Sequence, residues 1–205
     1  MLARVDLVAA LNSIPLARFN GTWWRAVPHH LLKGPPPGAP PGSPPQPLWP
    51  DGSALSGARY TPKGGPRTVY LASDPATVLQ EVNAIFAIPN GPSIALPAAP
   101  HTMCQVNVVV NSVLDLSVPS TEAALGTSTQ ELTGHWRYTM ETGGTPPTHL
   151  LGAAAHASGR IAAICAHSSK NVGHGFILAV FPDRLTGGSY IELIDPTRTL
   201  NQRLP

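Results

Sequence analysis

The stretch at residues 34–50, GPPPGAPPGSPPQPLWP, restricts the fold more than any other part of the chain. Proline lacks a backbone N–H and fixes φ, so a run this dense excludes helix and sheet across it. The chain ahead of it, up to Leu32, is too short to close a hydrophobic core by itself. The run is therefore expected to be a surface loop inserted within one domain spanning residues 1–205, not a linker between two domains. A solvated spacer is the ordinary role of such a loop. The functional alternative is a non-enzymatic interaction module that presents the loop to a partner, with Trp49 as its one aromatic anchor.

Length agrees with a single domain, because 205 residues suffice for one real core and are few for two. Thirteen Lys and Arg against eleven Asp and Glu leave a formal net charge of +2. That charge makes no field able to draw nucleic acid or an anionic membrane, so neither is expected as a partner. The arginines must be read one at a time. Two cysteines, Cys104 and Cys165, cannot build a framework of staples, which predicts a reduced, cytoplasmic setting. The opening MLARVDLVAALNSIPLARF lacks both the long apolar run and the cleavage pattern of a signal peptide, and no membrane span is expected.

Residues 68–72, TVYLA, are β-branched and aromatic, and they run into Ser73-Asp74-Pro75. Two N-cap candidates followed by proline at a favoured first-turn position predict a strand that hands over to a helix. In ATVLQEVNAIF, Val78, Val82, Ile85 and Phe86 recur at helical spacing, with Glu81 on the flank of the stripe. Strands are expected at 106–114, 161–166, 176–181 and 190–194, and helices at 120–132, interrupted near Gly126, and at 148–157. Their irregular order predicts a mixed α+β domain with a central sheet rather than a doubly wound one.

Several chemistries lack their signatures. Gly173-His174-Gly175 begins like a dinucleotide fingerprint, but Leu178 stands where the third glycine belongs and the segment continues as a strand. No phosphate loop ending in Gly-Lys-Ser or Gly-Lys-Thr occurs, so any bound phosphate must be held by side chains, a task that suits the planar fork of arginine. His101, Cys104, Cys165 and His167 are zinc-competent residue types, and Cys165 with His167 also suggests a nucleophile and its base. A metal- or thiol-dependent hydrolase using Cys165, His167 and His101 is thus a second enzymatic reading. Core packing for Cys104 and a loop position for His101 are the ordinary ones, and no metal site is expected.

Four segments together resemble the RES-domain family, named for an Arg, a Glu and a Ser. Trp23-Trp24-Arg25-Ala26-Val27-Pro28 is similar to its aromatic-Arg opening. Ser56-Gly57-Ala58-Arg59-Tyr60 is similar to its Gly-Gly-Arg-Trp turn, with Ala58 and Tyr60 as departures. Val69-Tyr70-Leu71-Ala72-Ser73 through Ala76 and Leu79 to Glu81 is similar to its strand-to-helix signature. Ala163-Ile164-Cys165-Ala166-His167-Ser168-Ser169 with Phe181-Pro182-Asp183 is similar to its closing element, although Ala163, Cys165 and Ala166 replace a usual Gly, Arg and Tyr. Either Ser168 or its neighbour Ser169 is the serine of the pattern.

The resemblance implies a fold similar to ADP-ribosyltransferases and a toxin that degrades NAD⁺ or transfers its ADP-ribose, neutralised by an Xre-type antitoxin or an immunity protein. It implies NAD⁺ as substrate, with no separate cofactor. Cleaving the nicotinamide–ribose bond passes through an oxocarbenium-like ribose, which a placed carboxylate stabilises, and Glu81 is the candidate. Arg25 and Arg59 are then expected to clamp the pyrophosphate and Tyr70 to pack on the nicotinamide. Tyr60 is expected beside the dinucleotide, and Ser168 to offer a hydroxyl to the ribose or amide.

Overall fold

Two long antiparallel strands, β1 (Ala17–Pro28) and β5 (His101–Asp115), form the spine of the protein, paired from Ala17 opposite Val113 to Pro28 opposite His101. In β5, Cys104, Val106, Val108 and Val110 are buried while Met103, Gln105, Asn107 and Val109 are not, the period-two pattern of a strand with one core face. The computed structural model describes residues 1–83, 85–87, 93–96, 99–171 and 173–205. Helix α1 (Arg4–Ser13) precedes β1. Between β1 and β5 lie α2 (His30–Lys33), α3 (Asp51–Ser56), β2 (Val69–Ala72), α4 (Pro75–Glu81), β3 (Ile85–Ala87) and β4 (Ser93–Ala95). After β5 come α5 (Pro119–Ala124), α6 (Thr129–Thr133), α7 (Trp136–Glu141), α8 (Pro147–Ala157), β6 (Ala163–His167), β7 (Phe176–Val180), β8 (Tyr190–Ile194) and β9 (Arg203–Leu204).

The main sheet runs β1-β2-β7-β6-β5-β8-β9, with β6 parallel to β5 and the other pairings antiparallel. Because β1 meets β2 at Trp24 opposite Ala72 and also pairs with β5, the run β1-β2-β7-β6-β5 closes on itself. Side chains alternate across this ring. Val27, Val69, Leu71, Val106, Val108, Cys165, Leu178 and Val180 form one core, and Tyr70, Ile164, Ala166, Ile177 and Ala179 form a second. The second is covered by Leu7 and Leu11 of α1 and Leu151 and Ala155 of α8. Arg160 fastens that layer, since its Nη1 donates to the carbonyls of Leu11 at 2.5 Å and Ile14 at 3.2 Å, at the end of α1 where helical carbonyls lack partners. The fold is the mixed α+β arrangement expected, and Gly126, at φ +57°, separates α5 from α6.

Two expectations need correction. The helical stripe does not extend to Phe86: α4 ends at Glu81, Asn83 adopts φ +56°, and Ile85 and Phe86 enter a strand opposite Ala95 and Ile94. A left-handed residue breaks the helix, and β-branched and aromatic types then suit the hairpin. The proline-rich run has no helix or strand, as expected, but its end is not a solvated spacer. Leu48 is 0% exposed within the first core, its N–H donates to Gln202 Oε1 at 2.6 Å, and Trp49 packs against the same cluster.

Stability should therefore divide within this loop. Removing residues 38–45 is expected to change the unfolding free energy by well under 1 kcal/mol, because closure cost shifts by only ~0.6 kcal/mol per doubling of loop length. Leu48→Ala is expected to cost about 2–5 kcal/mol, the range for emptying a buried leucine site. Urea unfolding of both variants checks this, and equal losses would show that the whole run packs as structure.

Candidate active site

Glu81 is delivered by local chain chemistry. Asp74 caps α4, its Oδ1 accepting the Thr77 N–H at 2.8 Å, and Pro75 occupies the first turn, so the helix starts directly after β2. Seven residues later the helix ends, leaving Glu81 half-buried at its last position. Ser168 follows β6 and is 0% exposed. Its Oγ donates to Glu81 Oε1 at 2.5 Å and accepts the N–H groups of Lys170 at 3.1 Å and Asn171 at 3.0 Å. The hydroxyl of Ser168 is thus spent on the carboxylate.

Arg59 stands in the turn between α3 and β2. Its Nη1 donates to the carbonyls of Leu132 at 2.7 Å and Gly134 at 3.2 Å, and its Nη2 donates to Ser169 Oγ. The two serines therefore divide the work: Ser168 holds the glutamate and Ser169 the arginine. Every acceptor on Arg59 is neutral, and among the described residues no carboxylate pairs with Arg59 or Arg25. Burial lowers the Arg59 pKa, against which the charge of nearby Glu81 acts. A cation hydrogen-bonded only to neutral oxygens, with Glu81 near but not in ion-pair contact, can still pair with an incoming anion.

Tyr60 and Tyr70 lie behind this turn. The Tyr70 hydroxyl accepts the Tyr60 N–H at 2.9 Å and meets Thr61 Oγ1 at 3.1 Å. Since Thr61 Oγ1 donates its own proton to Thr68 Oγ1 at 2.9 Å, Tyr70 must be the donor to Thr61. Burial pushes the Tyr70 phenol up to about 12 and raises that of Tyr60, which is 0% exposed. Both tyrosines build the wall that presents Arg59.

Arg25 is placed differently. Along β1 it shares a face with Trp23 and Val27, which pack in the first core, whereas Tyr70 packs with the second. Its Nη1 donates to the Tyr70 carbonyl and its Nη2 to the Trp49 carbonyl, each at 3.2 Å. Burial lowers its pKa to about 10. Among the described residues no hydrogen bond joins it to Glu81, Ser168 or Arg59. Arg25 clamps β1, β2 and the end of the proline-rich loop together.

His149 carries no sequence signal yet holds the arginine turn. It is 4% exposed on α8, its Nε2 lies 2.9 Å from the Ala58 carbonyl, and its ring packs on Trp136 at 5.4 Å. Next to it α8 approaches so closely that a Cβ on Gly152 would lie 1.8 Å from the Tyr60 carbonyl oxygen. The second enzymatic reading gains no such geometry. The Cys165 thiol is buried, which raises its pKa and keeps it protonated, and His167 Nδ1 is buried without a partner. Among the described residues no three His, Cys, Asp or Glu side chains gather as a metal site. Two surface clefts, about 230 and 500 Å³, flank the proline-rich loop near Gln46, Asp51 and Arg67 and do not include Glu81, Ser168 or Arg59.

A ring-closed sheet that sets a helix-end glutamate against a strand-end serine, with an arginine alongside that has no ion-pair partner among the described residues, defines an α+β domain built around one carboxylate and one guanidinium. The RES domain matches residues 22–201, and the chain belongs to that family. Its fold is similar to a chain in the crystal structure of the M. tuberculosis MbcT–MbcA toxin–antitoxin complex, at a TM-score of 0.57 and 16% identity, over 93% of this chain and 90% of that one. No curated protein matches the chain in sequence. No helix among the described residues is long and apolar enough to cross a membrane.

His149 should leave a signature in the pH dependence of stability. Burial lowers its pKa from the ordinary 6.5. As pH falls through that value the unfolded chain gains a proton that the folded one resists, so stability is lost on acidification. Between about pH 7.5 and 5.5, His149→Gln, which keeps a donor for Ala58 without titrating, should lose less melting temperature than the parent. Identical slopes would mean that His149 does not contribute.

Proposed function

We propose that this protein consumes NAD⁺ by breaking the bond between nicotinamide and ribose, through hydrolysis, phosphorolysis or ADP-ribosyl transfer. The observation that carries this reading is the fixed carboxylate: Glu81 held by Ser168 at 2.5 Å beside an arginine with no ion-pair partner among the described residues. Membership of the RES family supports it.

Breaking the C–N bond sends its electron pair to the ring nitrogen, so nicotinamide leaves neutral and needs little acid assistance. Positive charge grows on the ribose as it leaves, and a preorganised Glu81 carboxylate opposes it where it develops. An acceptor oxygen then attacks the anomeric carbon, forming the new C–O bond and releasing its proton to water. Arg59 pairs with the pyrophosphate, exchanging its neutral acceptors for charged ones. Arg25 acts one step back, because it lies on the face of β1 that packs in the first core and its bonds run to the carbonyls of Tyr70 and Trp49, not to the group around Glu81. Ser168 is a positioning residue for Glu81, and Tyr60 and Tyr70 carry the turn of Arg59.

The same reading makes the protein a cytoplasmic toxin with an Xre-type antitoxin as its partner. The fold likeness to a chain of a toxin–antitoxin complex supports this. Depletion of a shared cofactor harms the producing cell unless a partner covers the site.

The test is incubation of the purified protein with NAD⁺, with and without phosphate, and chromatography of the products. The parent should release nicotinamide. Glu81→Gln should lower turnover by roughly 10²–10³ with its fold intact by circular dichroism, the scale on which single transition-state-stabilising groups act. Arg59→Ala should raise KM as well, since a pyrophosphate clamp works in ground and transition states alike. A folded Glu81→Gln protein with parental turnover would refute the mechanism. Induction without the antitoxin should arrest growth, and unchanged growth and NAD⁺ with soluble protein would remove the toxin reading.

A further inference from the structure

We infer that Thr77 and Asn171 are positioning residues that hold the Glu81 carboxylate in register through the loop carrying Ser168; the inference rests on the reading of Glu81 as the reacting group. A seven-residue helix has little stability of its own and takes its position from what it touches. Three ties join α4 and its cap to residues 168–176. At the start, Ser73 and Phe176 exchange bonds: the Ser73 N–H donates to the Phe176 carbonyl at 3.0 Å, and the Phe176 N–H to Ser73 Oγ at 3.0 Å. In the first turn, Asn171 Nδ2 donates to Thr77 Oγ1 at 2.8 Å. At the end, Ser168 Oγ donates to Glu81.

The middle tie governs the last one. Thr77 is 0% exposed, and its hydroxyl proton goes to the Asp74 carboxylate at 2.6 Å, which leaves its oxygen able only to accept. The Asn171 amide nitrogen must therefore be the group that faces it. The backbone N–H of the same asparagine donates to Ser168 Oγ at 3.0 Å, and its carbonyl accepts the N–H groups of His174 at 3.1 Å and Gly175 at 3.0 Å. One residue thus orients the hydroxyl that orients Glu81 and closes the loop behind it. Space is already used up at this contact: a Cβ on Gly175 would lie 2.0 Å from Thr77 Oγ1 and 2.9 Å from Asn171 Nδ2. Glycine is required there because the loop backbone lies directly on the Thr77 side chain.

The experiment compares Asn171→Ala, Asn171→Asp, Thr77→Val and Thr77→Ser by NAD⁺ kinetics, melting temperature and amide hydrogen exchange. Asn171→Asp keeps size but turns an acceptor toward an oxygen with no proton to give. Asn171→Ala, Asn171→Asp and Thr77→Val should each lower kcat on the order of ten-fold with KM within about two-fold, the pattern of a misplaced reacting group, while Thr77→Ser restores kcat. Exchange at the amides of residues 170 and 171 should accelerate in the same three variants and not in Thr77→Ser, with α8 amides unchanged. If Thr77→Val fails to fold, the half-buried Asn171 variants decide. Unchanged exchange, or faster exchange with parental kcat, overturns the inference. A parent protein that does not turn over NAD⁺ overturns the proposed function instead, and the exchange data then judge the tie on their own.

Discussion

A carboxylate on the last residue of a short helix has no fixed direction unless something outside the helix supplies one. Here the supplier is Ser168, whose hydroxyl is 0% exposed and reaches Glu81 Oε1 at 2.5 Å. The rest of the architecture serves that contact. Parallel pairing of β6 with β5, and antiparallel pairing of β6 with β7, set where Ser168 ends. Pairing of β2 with β7 sets where α4 begins. The ring of strands closed by β1 makes both positions rigid relative to each other, which is the condition for electrostatic preorganisation.

Charge is arranged in the same spirit. Four ion pairs occur among the described residues, and none involves Glu81, Arg59 or Arg25. Arg25 and Arg59 are held by backbone carbonyls and one serine instead. A carboxylate partner would neutralise them and compete with an anionic ligand. Neutral acceptors fix the guanidinium planes, and among the described residues no carboxylate lies in ion-pair contact with either. The arrangement separates the two: Arg59 is held beside the serine pair by Leu132, Gly134 and Ser169, and Arg25 ties the strands to the proline-rich loop.

Legibility from sequence followed the locality of each signal. The passage from β2 into α4 was readable because Asp74 and Pro75 act within a single turn, whereas Glu81 stood out only through the resemblance of the segment around it. The strands β6, β7 and β8 were readable as short apolar runs between turn residues. Strand β1 carried no such mark: its apolar residues are broken by Asn20, Gly21 and Thr22, and its order comes from pairing with β5 some eighty positions away. Past Glu81, helical spacing misled, because periodicity does not register a left-handed Asn83. His149, Thr77 and Asn171 belong to no motif, and only the fold brings their donors and acceptors together. The choice between Ser168 and Ser169 was likewise a tertiary matter, and the two turn out to serve different partners.

The central claim is that Ser168 and Glu81 act as one unit. A double-mutant cycle on NAD⁺ consumption, with Ser168→Ala, Glu81→Gln and the double variant all shown to be folded, measures it directly. If the hydroxyl works only by holding the carboxylate, Ser168→Ala lowers turnover alone but costs nothing further once Glu81→Gln is present. Losses that simply add would mean that the two residues act independently, and would contradict the account.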